Sequence, residues 1–142
     1  MKILICGLPG SGKSTLAEPF AKSIDGVWIN ADAVRQQYDD WDFTLEGRMR
    51  QAKRMCHLAD GVAMAGKISV TDFVCPTEEA RHAFAPDFIV WMDTIKEGRF
   101  EDTNKIFQSP EKYDYRVEQW FADVEKDLAK VIKIYMNKEE KV

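Results

Sequence analysis

The chain has 142 residues, 45% of them apolar and 31% charged, with a formal net charge of −4. That balance suits one globular domain, residues 1–142, with one sizeable core, and excludes a chain that is mainly disordered or low in complexity. The acidic balance argues against a broad nucleic-acid-binding face, because phosphate backbones are held by clustered Lys and Arg; a local basic groove stays open.

In chain order, Lys2 to Cys6 reads as a buried first strand, since it is a continuous apolar run bounded by turn residues. It feeds GLPGSGKST, Gly7 to Thr15, which fits the phosphate-binding pattern G-x-x-x-x-G-K-[ST] at Gly7, Gly12, Lys13 and Ser14. Such a loop wraps a polyphosphate with its own N–H groups, and glycine permits positive φ and removes colliding Cβ atoms. Gly10 adds freedom, Pro9 fixes one φ, and Ser11 and Thr15 complete the loop. The helix dipole faces the anion, Lys13 can reach the β- and γ-phosphates, and the Ser14 hydroxyl can ligate Mg²⁺. Four fixed positions coincide by chance on the order of once in several hundred chains of this length. Nucleotide binding, with ATP and Mg²⁺ as cofactors, is therefore expected.

Lys13 to about Ser23 is the first helix, and Pro19 should bend it or end it early. Asp25-Gly26 is a turn, Val27 to Asn30 a second strand, and a short helix is expected near Asp32 with Asp32 as its N-cap. The acidic stretch Asp39 to Asp42 is loop-like. Leu45, Met49, Ala52, Cys56, Ala59 and Ala63 then form one apolar stripe of a long helix that Gly66 stops. Ile68 to Val74 is a third strand with Asp72 near its end; Thr77 caps the next helix, Pro86 ends it, and Phe88 to Met92 is a fourth strand.

Glu97 to Pro110 is polar with weak periodicity, which suits either a mobile cover over a nucleotide site or an ordinary surface loop. Tyr113, Tyr115 and Val117 suggest a short edge strand. Trp120, Val124, Leu128, Val131 and Tyr135 form one face of a long helix, and Asn137 to Val142 is expected to fray. No apolar run approaches the ~20 residues of a membrane span. Met1-Lys2 before four apolar residues is no signal peptide, so a cytoplasmic protein without a membrane partner is expected. Cys6, Cys56 and Cys75, with His57 and His82, give no zinc pattern and no disulfide framework.

Strands alternating with helices imply parallel β-α-β units in a three-layer α/β/α sandwich, with the ligand off the carboxyl ends of the strands. That rule gathers the Gly7 loop, Asp32 and Arg35 after strand two, and Asp72 to Cys75 after strand three. Phosphoryl transfer needs charge neutralisation, in-line geometry and a group that orients or deprotonates the nucleophile. Asp32 is the candidate base, with Lys13 as the charge stabiliser. Arg35 can hold an anionic acceptor by paired hydrogen bonds, Arg48 and Gln51 can face the same pocket, and Asp72 suits a carboxylate that steadies Mg²⁺ beside Ser14.

With these residues assembled, the chain resembles the adenylylsulfate kinases, phosphate-loop kinases similar in fold to the small nucleotide kinases. The likeness runs from Lys2 to about Arg81. I-N-A-D-A-V-R, Ile29 to Arg35, looks like the family's L-D-G-D-N-V-R, with Asp32 at the second Asp and Arg35 at the Arg. Phe43, Arg48 and Gln51 fall where the family has a Phe, an Arg and an Asn around the adenylylsulfate. Phe73-Val74-Cys75-Pro76 resembles F-I-S-P, followed by an Arg that Arg81 can supply. The resemblance implies transfer of the ATP γ-phosphate to a hydroxyl of adenylylsulfate, in the context of sulfate assimilation. Arg35, Phe43, Arg48, Gln51, Phe73, Val74 and Cys75 would bind that substrate, and a homodimer is a compatible assembly.

Asn30 stands where the family has Asp, Ala33 and Gln51 where it has Asn, and Cys75 where it has Ser. Its basic R-D and K-G-L-Y lid is missing, and Arg99 or Lys105 are the available substitutes. Polynucleotide 5′-kinases share a GxPGSGKS loop, an N-R-D-x-x-R segment and an S-D-T-N stretch, which Asn30 to Arg35 and Thr71-Asp72 resemble. A polynucleotide or nucleoside 5′-hydroxyl kinase, or another small-molecule kinase, is thus an alternative. A nucleotide-dependent switch without acceptor chemistry is a third. It would keep Lys13 and Ser14 but would not require Asp32 beside Arg35.

Overall fold

The computed structural model describes residues 1–140. Five parallel strands, β1 (Lys2–Gly7), β2 (Val27–Asn30), β3 (Ser69–Asp72), β4 (Phe88–Met92) and β5 (Tyr115–Val117), lie in the order β2-β3-β1-β4-β5. Six helices join and flank them: α1 (Lys13–Ser23), α2 (Ala31–Tyr38), α3 (Leu45–Met64), α4 (Glu78–Phe84), α5 (Glu101–Ile106) and α6 (Val124–Glu140). Side chains alternate across a strand, so β1 feeds two cores. Ile3 and Ile5 pack with Leu16, Phe20, Val124, Leu128 and Ile132 of α1 and α6. Leu4 and Cys6 pack with Ala52, Met55, Ala59 and Phe84 of α3 and α4. This is the expected three-layer α/β arrangement.

Four local expectations need correction. Pro19 does not end α1, which continues to Ser23. Pro19 and Thr15 are both exposed, so the Thr15 carbonyl freed by the missing N–H can face water. Asn30, and not Asp32, caps α2: its Oδ1 accepts from the Ala33 N–H at 3.0 Å, because the helix starts directly after the strand. The buried face of α3 is Gly47, Gln51, Ala52, Met55 and Ala59, while Leu45 is 68% exposed. Gly47 sets that rotation, since a Cβ there would come within 2.3 Å of the Asp42 carbonyl. Trp120 precedes α6, whose buried residues are Val124, Leu128 and Ile132.

Most remaining boundaries agree with the sequence, although β3 is shorter at both ends than the expected Ile68 to Val74. Thr44 and Thr77 accept from the Gly47 and Ala80 N–H groups and start α3 and α4. Gly66 at φ +82 follows the end of α3, and Ala85, also left-handed, closes α4 before Pro86. Residues 97–110 hold the short α5, which sequence periodicity did not reveal. The tail expected to fray is helical to Glu140, and Lys141 and Val142 lie outside the described residues. Among the described residues no helix is long and apolar enough to cross a membrane.

Candidate active site

The loop after β1 owes its shape to two close approaches. A Cβ on Gly7 would lie 2.6 Å from the Met92 carbonyl, so only glycine lets β1 and β4 end side by side here. Gly12 takes φ +97 as the residue before α1, turning the first N–H groups of that helix toward the loop. Inside the loop the Ser11 N–H donates to the Leu8 carbonyl at 3.1 Å, and the Thr94 hydroxyl donates to the Ser11 carbonyl at 2.7 Å. The loop is thereby tied to the end of β4.

A cleft of about 840 Å³ opens beside the loop, over the ends of β2 and β3. Pro9, Gly10, Gly12, Lys13, Ser14 and Thr15 line one wall. Gly7 and Ser11 are not in the lining; they shape the loop from behind. Lys13 Nζ donates to the Leu8 carbonyl at 3.0 Å. Burial lowers its pKa, an effect opposed by the charges of Asp72, Cys6 and Asp32.

Asp72 ends β3 at 2% exposure and gathers three donors. The Ser14 hydroxyl donates to its Oδ1 at 3.2 Å, Trp28 Nε1 to its Oδ2 at 2.5 Å, and Asn30 Nδ2 reaches both oxygens at 3.3 Å. Burial raises the Asp72 pKa, while the Trp28 and Asn30 hydrogen bonds and the Lys13 charge favour the carboxylate. Ser14 and Asp72 thus present two hard oxygen donors side by side, a set that suits a magnesium ion shared with phosphate oxygens. Among the described residues no group of three or more His, Cys, Asp or Glu could hold a metal alone.

Asp32 lies in the first turn of α2, exposed, in the lining of the cleft. Because Asn30 does the capping, the Asp32 carboxylate makes no hydrogen bond among the described residues. One turn on, Arg35 is buried. Its Nη1 donates to the Asp40 and Asp42 carbonyls at 2.9 and 3.2 Å, and its guanidinium lies 4.3 Å from the Phe43 ring centroid. Arg48 lies 5.4 Å from the same ring, donating to the Phe43 carbonyl and to the Thr103 hydroxyl. Burial lowers the pKa of both guanidiniums, which still stay charged at any physiological pH. Gln51 is buried, with Nε2 donating to the Ala31 carbonyl and Oε1 accepting from Arg54, so it fixes α3 against the start of α2.

Phe73, Val74 and Cys75 line the floor. Cys75 is buried at φ +44, and burial pushes its thiol well above the ordinary range, as it pushes Cys6 up to about 11. Neither is therefore an activated nucleophile. Arg81 is outside the lining: it is buried, pairing with Glu78 at 2.7 Å and donating to the Gln108 carbonyl. It anchors the segment after α5. Arg99 lines the cleft and Lys105 does not.

Sequence reasoning missed Trp28 and Asn30 as partners of Asp72, and Trp41, Phe100, Asp102 and Thr103 in the lining. Residues 97–110 are tied to the site by the Arg48 bond to the Thr103 hydroxyl and by the Gln108 N–H to the Pro76 carbonyl at 2.7 Å, and a mutual Gly98–Asn104 pair holds the segment together internally. The Asn30–Asp72 pairing was the most legible of the missed contacts, since both residues end adjacent strands.

Comparison with known proteins adds to this geometry. The adenylylsulphate kinase family model matches residues 1–94. A probable adenylyl-sulfate kinase of Aeropyrum pernix is 32% identical over 90 residues, covering 56% of this chain and 47% of the relative. The match thus spans about half the length of that protein. The APS kinase of Mycobacterium tuberculosis, solved in complex with AMPPNP and APS, superimposes with a TM-score of 0.76 at 17% identity, over 93% of this chain and 96% of that one. A sugar kinase from Janibacter superimposes with a TM-score of 0.69 at 16% identity, over 96% and 94%. At these identities the structural likeness is one of fold.

Proposed function

The chain belongs to the adenylylsulphate kinase family, and from that premise we propose that it transfers the γ-phosphoryl group of MgATP to a hydroxyl of adenylylsulfate. The observation that carries the reading is the content of one cleft: the phosphate loop, the uncommitted Asp32 carboxylate, and the cluster of Arg35, Phe43 and Arg48 in the same lining. An aromatic ring with two guanidiniums close by suits an acceptor that is both a nucleotide and an anion.

In this reading the loop binds the triphosphate through the backbone N–H groups of Gly10, Gly12, Lys13, Ser14 and Thr15, with Gly7, Pro9 and Ser11 shaping it. Lys13 supplies positive charge next to the transferring group. Asp32 accepts the proton of the acceptor hydroxyl, and Arg35, Phe43 and Arg48 orient the acceptor above Phe73, Val74 and Cys75. Gln51 acts as a support for α2. A magnesium ion, held by Ser14 and by Asp72, would neutralise phosphate charge. The three free thiols support a reducing, cytoplasmic setting.

The Asn30–Asp72 pair favours a second reading, a 5′-hydroxyl kinase. The test is ADP release from MgATP on adding adenylylsulfate, and separately a 5′-hydroxyl oligonucleotide, with wild type and Asp32→Asn. Stimulation by adenylylsulfate that the variant lacks is expected. Stimulation by the oligonucleotide alone selects the second reading.

A further inference from the structure

The cleft accounts for the acceptor side of the phosphate loop and leaves the other side unexplained. Asp32, Arg35 and Asp72 all stand over β2 and β3. Across the loop, over β4 and β5, the neighbours are different: Thr94 bonded to Ser11, Ile95 beside Gly10, and Trp120 against Gly12. The six-membered ring of Trp120 lies 3.3 Å (Cζ3) and 3.6 Å (Cε3) from where a Cβ on Gly12 would stand. A Cβ there would press on the indole, so the bare glycine eases its close approach to the start of α1. Even so, Trp120 is 48% exposed, and its neighbour Phe121 is 45% exposed.

A nucleoside triphosphate has a direction. If its last phosphate faces Asp32, the chain of phosphates runs back over the loop toward β4 and β5, and the base must leave on that side. Resting on the kinase reading above, we infer that Trp120 is the aromatic platform on which the base of the nucleotide stacks. A large aromatic ring held beside the phosphate loop, with about half of the residue's surface open, can serve as a stacking surface for a planar base. Such contact tolerates any purine, because every base has a π-face. Specificity between adenine and guanine is not assigned to it.

The experiment is calorimetric titration of MgATP and of magnesium tripolyphosphate into wild type, Trp120→Ala, Trp120→Leu and Trp120→Phe. Leucine keeps apolar bulk against Gly12 without a ring, and phenylalanine keeps the ring, so the inference does not depend on the alanine variant folding. Loss of base stacking is expected to weaken MgATP about tenfold in the alanine and leucine variants, tripolyphosphate being unchanged and phenylalanine restoring most of the affinity. Equal weakening of both ligands would make Trp120 a shaper of the loop and overturn the inference, as would unchanged MgATP affinity. Failure of wild type to bind either ligand would instead overturn the nucleotide reading itself, and the inference with it.

Discussion

Asn30 and Asp72 stand opposite each other in the register of β2 and β3, and the Asn30 amide lies 3.3 Å from both oxygens of the Asp72 carboxylate. One residue thereby serves two neighbours, because its Oδ1 also caps α2 beside Asp32. Replacing Asp72 by Asn removes the carboxylate but keeps its size. Loss of a group that orients a metal typically costs about 10–100-fold in metal affinity or activity. The Mg²⁺ concentration for half-maximal turnover is expected to rise by that order. An unchanged magnesium dependence would remove Asp72 from the proposed site.

Lys13 links activity to stability with opposite signs. Burial lowers its pKa below the ordinary 10.5, so the folded chain binds that proton less readily than the unfolded chain. The charge therefore opposes folding at pH 7, and the penalty fades as pH rises through the lowered value toward 10.5. Lys13→Met is expected to raise the thermal midpoint at pH 7 while abolishing ADP release. A lower midpoint would mean that Lys13 contributes to the fold through its bond to Leu8.

Phe43 is a shared partner of two like charges, with Arg35 4.3 Å and Arg48 5.4 Å from its centroid. In Phe43→Ala both guanidiniums lose an aromatic partner worth about 0.5–1 kcal/mol each at exposed sites. The KM for the acceptor is expected to rise roughly tenfold, with the KM for ATP unaltered. Equal changes in both would point to collapse of the cleft.

Asp40 binds Arg50 and Arg54 through its carboxylate and Arg35 through its carbonyl, holding the turn that leads to Phe43. Its carboxyl is held well below the ordinary 3.8, mainly by the Arg50 and Arg54 hydrogen bonds. A depressed carboxyl stabilises the fold fully above its unfolded pKa, and that contribution is lost as pH falls below it. Asp40→Asn should therefore unfold at lower urea than wild type at pH 7, and the gap should close as pH drops below 3.8. A gap that persists in acid would assign the effect to packing.

The loop and the strands around it were legible because each signal is local. Buried parallel strands read as apolar runs, and the phosphate loop reads as fixed spacing. The errors arose where burial is not apolar. Gly47 and Gln51 sit on the inner face of α3, so the hydrophobic stripe found Ala52 and Ala59 of that face and missed the rest. α5 is too short to show a period. Trp120 matched the spacing of α6 but lies in the connection before it and packs against Gly12. Asp32 resembles a cap in sequence, and only the direct step from β2 into α2 shows that Asn30 takes that role.

The packing of α6 across α1 bears on how the chain comes into being. Leu16, Ala17 and Phe20 belong to the first turns after the phosphate loop, yet the core they enter is completed by Val124, Leu128 and Ile132. During synthesis the residues of the proposed active site therefore emerge long before the surface behind them can be covered. Contacts so distant in sequence close late and fold slowly. Until Ile132 has left the ribosome, the part of that face that α6 covers remains open, and that interval exposes the nascent chain to aggregation.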